Sequence, residues 1–142
     1  MKVRVEDIDV GFELPSLSKE MVLEGMNAGK IIIPGTVEGN PIHSDPEASK
    51  REGLKAPIAT GMTSTFWLNQ MLTDFFGEDW LRGGTLSDRY IAPIYLGDEV
   101  TCKGIVTGKA RDGRVHRLTL DVWCEKADGQ KATVGTCTLV VR

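Results

Sequence analysis

The segment that most restricts what this chain can become is "APIATGMTSTFWLNQMLTDFF", residues 56–76, in which the 18 residues from 56 to 73 carry no charge. At helical spacing Ile58, Met62, Phe66, Leu72 and Phe76 form one stripe, while Leu68, Met71 and Phe75 fall on other faces. The pattern predicts a helix buried nearly all round. Its Pro, Thr, Ser, Asn and Gln residues argue against a membrane span. A helix of this kind needs a cover, and the residues after Gly84 supply one. There the period changes to alternation, with extended runs at about 84–95, 98–110, 114–126 and 131–142, punctuated by Gly97-Asp98, Asp112-Gly113 and Asp128-Gly129. These turns predict an antiparallel meander. In the third run Leu118, Leu120, Val122 and Cys124 share one face, and Arg117, Thr119 and Asp121 the other, as a half-buried strand requires. One apolar helix and one sheet with an apolar face satisfy each other's burial if the sheet curls around the helix. The expected class is α+β, and with no repeat or linker in sight residues 1–142 read as a single domain.

The upstream third is weaker in pattern. "VRVEDIDVGFELP" reads as an extended edge segment, and "SKEMVLEGMNAGKIIIPG" mixes helix formers with glycines before Pro34-Gly35. "SDPEASKREG" predicts a short helix, with Asp45 as cap, Pro46 at the first helical position and Gly53 at the stop. Just ahead of it lies "GTVEGNPIHSDPEAS", residues 35–49, which holds a carboxylate, Asn-Pro and one of the two histidines among too many turn formers for a strand. A net charge of −3 without a run of like charges argues against nucleic acid or an anionic membrane as the main partner. Three widely spaced cysteines, 102, 124 and 137, suggest neither a disulfide framework nor a metal knuckle and read as buried small apolar residues. The N-terminus never reaches the apolar stretch of a signal peptide, so a cytoplasmic location is expected.

Buried helix plus curled antiparallel sheet describes the hotdog fold, and the local motifs then resemble the MaoC-like dehydratases, or (R)-specific enoyl-CoA hydratases. Their Gly-Asp-x-Asn-Pro-hydrophobic-His element is similar to Val37-Glu38-Gly39-Asn40-Pro41-Ile42-His43, and their Ile-Ala-His-Gly-Met helix start to Ile58-Ala59-Thr60-Gly61-Met62. "RYIAPIYLGDEV", residues 89–100, looks like their Phe-x-x-Pro-Val-x-x-Gly-Asp strand and turn, and "DVGFELP" like their N-terminal element. The chain departs at three positions: Glu38 stands for the family's catalytic aspartate, Val37 for the preceding glycine and Thr60 for the histidine before the helix glycine.

The resemblance implies a hydro-lyase that interconverts trans-2-enoyl and 3-hydroxyacyl thioesters, carried by coenzyme A or an acyl carrier protein, with no metal or redox cofactor. Such chemistry needs an activated water, a proton for the α-carbon and a donor for charge on the thioester oxygen. Glu38 and His43, five positions apart on a turn that Pro41 stiffens, fit the first two roles, imidazole having a pKa of about 6.5. The N–H of Gly61 fits the third: Pro57 suits a helix start, and first-turn amides lack partners within a helix. By resemblance Asn40 fixes the loop, and Thr60, Thr63 and Ser64 are candidate substrate contacts. His116, in phase with Leu118 and Leu120, reads as structural, and Lys50, Arg51 and Lys55 as a solvated face. A lone hotdog unit leaves a sheet edge open, so the resemblance implies a homodimer. Two alternatives stand beside the hydro-lyase: a hotdog thioesterase, and a non-catalytic acyl-binding partner subunit.

Overall fold

The structure, a computed structural model, describes residues 3–22 and 41–142. Its elements in chain order are strand β1 (Leu17–Glu20), helix α1 (Pro46–Arg51), helix α2 (Gly61–Phe76), helix α3 (Glu78–Gly83) and strands β2 (Thr85–Tyr90), β3 (Glu99–Asp112), β4 (Val115–Lys126) and β5 (Lys131–Val141). The five strands form one antiparallel sheet in the order β1-β3-β4-β5-β2. Three of the four expected runs, β3 to β5, form the meander. The fourth, β2, does not pair with its successor β3 but lies beyond β5, so the chain crosses the sheet between them.

The alternation seen in the sequence is the alternation of burial. Val100, Cys102 and Val106 of β3 and Leu118, Leu120, Val122 and Cys124 of β4 are all at most 1% exposed. Against this face lies α2, whose Leu68, Met71 and Leu72 are at most 2% exposed. Fully burying each such side chain stabilises by about 1.5–3 kcal/mol. Burial around α2 is one-sided rather than complete: Ser64, Leu68, Met71 and Leu72 face the sheet, whereas Met62 and Phe66, placed on the buried stripe from sequence, are only half-buried. The stripe drawn through Met62 and Phe66 missed the true seam because apolar residues fall on several faces of this helix.

Two irregularities bend the sheet. Thr107 is an extra residue in β3, between the pairs Val106↔Leu120 and Gly108↔Thr119. Ala132 is an extra residue in β5, between Cys124↔Thr133 and Glu125↔Lys131. Each bulge adds local twist and re-aims the side chains beside it. The hairpin from β3 to β4 turns at Gly113, whose φ of +61° suits glycine. Close approach of β2 to β5 depends on Gly135, where a Cβ would lie 2.8 Å from the Ser87 carbonyl oxygen.

The N-terminal region differs from expectation. Residues 5–7 form a 3-10 turn rather than an extended edge, and extended pairing is confined to residues 11–14, where Gly11 and Leu14 donate to Val106 and Gly104 carbonyls. The edge strand β1 begins at Leu17 and runs into the stretch that mixes helix formers with glycines. Pairing with β3 overrides that propensity, because Leu17 enters the core beside Cys102 and Ser18 Oγ meets Thr101 Oγ1 at 3.2 Å. Lys109 Nζ donates to the Val5 and Ile8 carbonyls at 2.9 and 2.7 Å, tying the turn to β3. All three cysteines are buried and free, as expected, with Cys102 and Cys124 directly opposite and their sulfurs 3.5 Å apart. Burial pushes the Cys137 thiol up to about 12. Among the described residues, no helix is long and apolar enough to cross a membrane.

Candidate active site

A cavity of about 370 Å³ opens at the N-terminal end of α2. It is lined mainly by apolar groups, among them Leu54, Ile58, Ala59, Ile91, Pro93 and Ile94. The polar positions on its wall are His43, Thr60, Gly61, Ser64, Tyr90 and Thr133. A mostly apolar cleft with a few convergent polar groups is the usual form of a small-molecule site.

The segment 41–61 builds the mouth from the motif residues. Asp45 caps α1 as expected, its Oδ1 accepting from the Glu47 N–H at 2.9 Å, and Gly53 at φ +80° ends the turn after it. Residues 41–43 form a 3-10 turn, closed by Ser44 and Asp45 N–H groups donating to the Pro41 carbonyl. Two hydrogen bonds fasten that turn to Ile58: the Ile58 N–H donates to the Ile42 carbonyl at 3.0 Å, and His43 Nδ1 donates to the Ile58 carbonyl at 2.7 Å. A carbonyl oxygen only accepts, so Nδ1 carries the proton and Nε2 is the nitrogen left for other partners. Ile58 in turn bridges to Tyr95, and the Ala59 N–H donates to the Ile94 carbonyl at 2.7 Å.

Those contacts keep residues 58–59 extended, so the long helix starts at Gly61 and not at Pro57 as the sequence suggested. The pairing with Ile94 and Tyr95 outcompetes the preference of Pro57 for a first helical turn. Gly61 therefore occupies the first helical position, where N–H groups have no intrahelical acceptor. Thr60 precedes it in extended conformation, and its side chain makes no capping bond, its Oγ1 lying instead 3.3 Å from Thr63 Oγ1. Gly61 cannot be replaced cheaply: a Cβ there would lie 2.2 Å from ring atoms of Tyr90. That ring is oriented by a chain of hydroxyls. Thr65 Oγ1 donates to Asp88 Oδ2 at 2.6 Å, which commits its one hydrogen, so the Tyr90 hydroxyl at 2.7 Å donates to Thr65.

The structure thus brings His43, Thr60, Gly61 and Ser64 to one cavity, while Thr63, 4% exposed, is buried away from its wall. Glu38 and Asn40 lie outside the described residues. Lys50 pairs with Glu47 at 3.6 Å, and Lys55 sits 4.5 Å over the Tyr95 ring. Asp98, in the motif's Gly-Asp turn, accepts from the Tyr95 N–H at 2.8 Å and pairs with Lys126 at 3.0 Å. Burial raises its carboxyl pKa, but the Tyr95 hydrogen bond and the Lys126 and Lys55 charges together hold it below the ordinary carboxylate value. Sequence reasoning missed Tyr90 and Thr133. The signals were present: an aromatic inside the "RYIAP" motif, and a hydroxyl residue next to alanine, Ala132-Thr133, that breaks the alternation of the last strand.

One helix laid in a curled five-stranded antiparallel sheet, with a cavity at the helix N-terminus, defines a hotdog protein. Solved structures agree. The MaoC-like dehydratase from Rhodospirillum rubrum superposes with a TM-score of 0.78 at 19% identity, covering 98% of this chain and 96% of its own. The (R)-hydratase from A. caviae involved in PHA biosynthesis gives 0.75 at 23% identity, covering 97% and 100%. The ChsH1-ChsH2 complex from Mycobacterium tuberculosis contains a chain that gives 0.75 at 23% identity, covering 94% and 98%. No curated protein matches in sequence. The family model described as MaoC like domain matches residues 35–126, and the chain belongs to the MaoC-like family.

Proposed function

We propose that this protein is a hydro-lyase that adds water to trans-2-enoyl thioesters, or removes it from 3-hydroxyacyl thioesters. The observation that carries the reading is the junction of His43 and the first turn of α2 on one cavity wall, with the imidazole tautomer set by the Ile58 carbonyl. In this mechanism neutral His43 takes a proton from water at Nε2 as the water oxygen bonds to C3. The C2=C3 electron pair moves toward the thioester, whose oxygen gains negative charge beside the Gly61 N–H. His43 then returns the proton to C2, while Glu38 accepts a hydrogen bond from the water's second hydrogen, which stays on the oxygen as the product hydroxyl, and so aims the oxygen lone pair at C3. One amide directed at a developing oxyanion is worth about 2.7–4 kcal/mol in comparable sites. Addition of water is redox-neutral, so no redox cofactor enters the scheme, and none is proposed.

Asn40 is proposed to hold the loop that carries Glu38 and His43. The thioester is carried by coenzyme A or an acyl carrier protein, and the working unit is proposed to be a homodimer joined through a free sheet edge. Strand β2, which pairs only with β5 among the described residues, offers such an edge next to Tyr90 and Ile91, which are 52% and 55% exposed.

The test is loss of conjugated enoyl-thioester absorbance with crotonyl-CoA and longer homologues, while free thiol is followed in parallel. Absorbance loss without thiol release supports the hydro-lyase. Thiol release would convert the reading to a thioesterase, and binding without either would point to a partner subunit. Hydration at wild-type rate by Glu38→Gln would remove Glu38 from the scheme.

A further inference from the structure

Thr133 is the inward-facing hydroxyl of a strand that otherwise buries Ala132, Cys137 and Leu139. The bulge at Ala132 turns it onto the cavity wall, and it is 1% exposed. Its Oγ1 lies 2.7 Å from Ser64 Oγ, and Ser64, itself fully buried, is 2.8 Å from the Gly61 carbonyl oxygen. The direction of these bonds follows from counting hydrogens. Ser64 has one, and the carbonyl can only accept, so Ser64 donates to Gly61. Thr133 must then donate to Ser64. Both hydroxyl hydrogens are spent inside the protein, and the Thr133 oxygen has only lone pairs left to offer the cavity. The neighbouring Tyr90 and Thr65 hydrogens are spent in the same way, in a chain that ends on Asp88. This part of the wall is therefore an acceptor without a donor.

Ser64 lies three residues beyond Gly61, about 4.5 Å along the helix axis, the length of three to four carbon–carbon bonds in an extended chain. We infer that the cavity selects acyl thioesters bearing a hydrogen-bond donor, such as a hydroxyl, three or four carbons beyond the thioester carbon, and that Thr133 is the residue that reads it. The inference rests on the thioester reading and names its substrate class. An ether oxygen or a carbonyl at the same place meets only lone pairs and is rejected, while an unsubstituted chain leaves the Thr133 acceptor without a partner.

The experiment compares three coenzyme A thioesters that have no C2=C3 bond to hydrate, freshly prepared pentanoyl, 5-hydroxypentanoyl and 5-methoxypentanoyl, by titration calorimetry with free thiol followed, together with turnover of pent-2-enoyl-CoA. The hydroxyl compound should bind about fivefold more tightly than the unsubstituted one, and the methoxy compound more weakly than both. In Thr133→Val the hydroxyl-to-unsubstituted ratio should fall to about one, and Thr133→Ser should restore it. The ratio is taken within each protein, so a smaller folded fraction does not alter it. Equal binding by the wild type, or a preference that survives in Thr133→Val, overturns the inference even if pent-2-enoyl-CoA is hydrated. A preference in binding with no turnover upholds it and overturns the hydro-lyase. Failure to bind any of the three overturns the inference, and together with no turnover of pent-2-enoyl-CoA it overturns both.

Discussion

Two histidines sit toward opposite ends of the sheet and are held in opposite ways. His43 stands on a short turn, with Nδ1 bonded to the Ile58 carbonyl and its ring on a mainly apolar cavity wall. His116 stands on β4 near the β3–β4 hairpin, paired across the sheet with Arg111 and Val141. Its Nδ1 is buried and has no hydrogen-bond partner among the described residues. It borders a second cavity of about 340 Å³, whose apolar floor includes Phe75 and Phe76 and whose rim mixes Arg4, Arg114 and Arg142 with Glu6 and Asp79. The difference teaches what makes an imidazole usable. Fixing one nitrogen to a carbonyl defines the tautomer and the aim of the other, whereas strand phase alone buries Nδ1 without defining either.

The sharpest way to break the comparison is to remove each ring. His43→Ala should lower kcat for enoyl-thioester hydration by at least about a hundredfold, with the circular dichroism spectrum unchanged. Hydration near the wild-type rate would mean that the anchored histidine is no more functional than the other.

Next in size is Gly61→Ala, which should cost about 1–3 kcal/mol of stability by forcing a Cβ into the Tyr90 ring. Adding Tyr90→Ala should recover most of that loss in denaturant midpoint, because the clashing partner is gone. Additive losses in the double variant would show that the ring does not press on the helix start.

A smaller effect comes from Asp98, beside the same end of the sheet. Its carboxyl pKa is lowered on folding below the unfolded value of about 3.9, so its contribution to stability is present above about pH 4 and is lost as the pH falls through the folded value. Urea midpoints should drop between pH 5 and pH 2.5 in the wild type, and Asp98→Asn should flatten part of that drop. Smallest of all is His116→Leu, expected to leave hydration unchanged and to shift stability by less than about 1 kcal/mol, since it removes an unpartnered buried nitrogen and keeps the apolar contacts.

Legibility in the sequence followed how local the determining interaction is. The three long strands, the Asp45 cap and the burial of the cysteines were readable, because alternation and capping act over a few residues. The meeting of His43 and Gly61 on one cavity wall was readable through a motif whose spacing is also local. The start of α2 was not, because Ile58 and Ala59 are held extended by Ile94 and Tyr95, more than thirty positions away. For the same reason β1 and the place of β2 beside β5 escaped: each depends on a partner strand far along the chain. Thr133 escaped because a one-residue bulge reverses which side chains point inward, and its local trace, the Ala132-Thr133 pair in "KATVG", does not say which cavity the hydroxyl would meet.

The bond from Lys109 to the carbonyls of Val5 and Ile8 spans about a hundred positions, and β1 pairs with β3 over a similar distance. On the ribosome, residues 5–20 therefore leave the exit tunnel long before anything exists for them to pair with. The part of this region made first has to wait for β3, which in turn pairs with β4. A domain built in this way folds only once its distant strands have been made, and its early segment is where a holding chaperone would act.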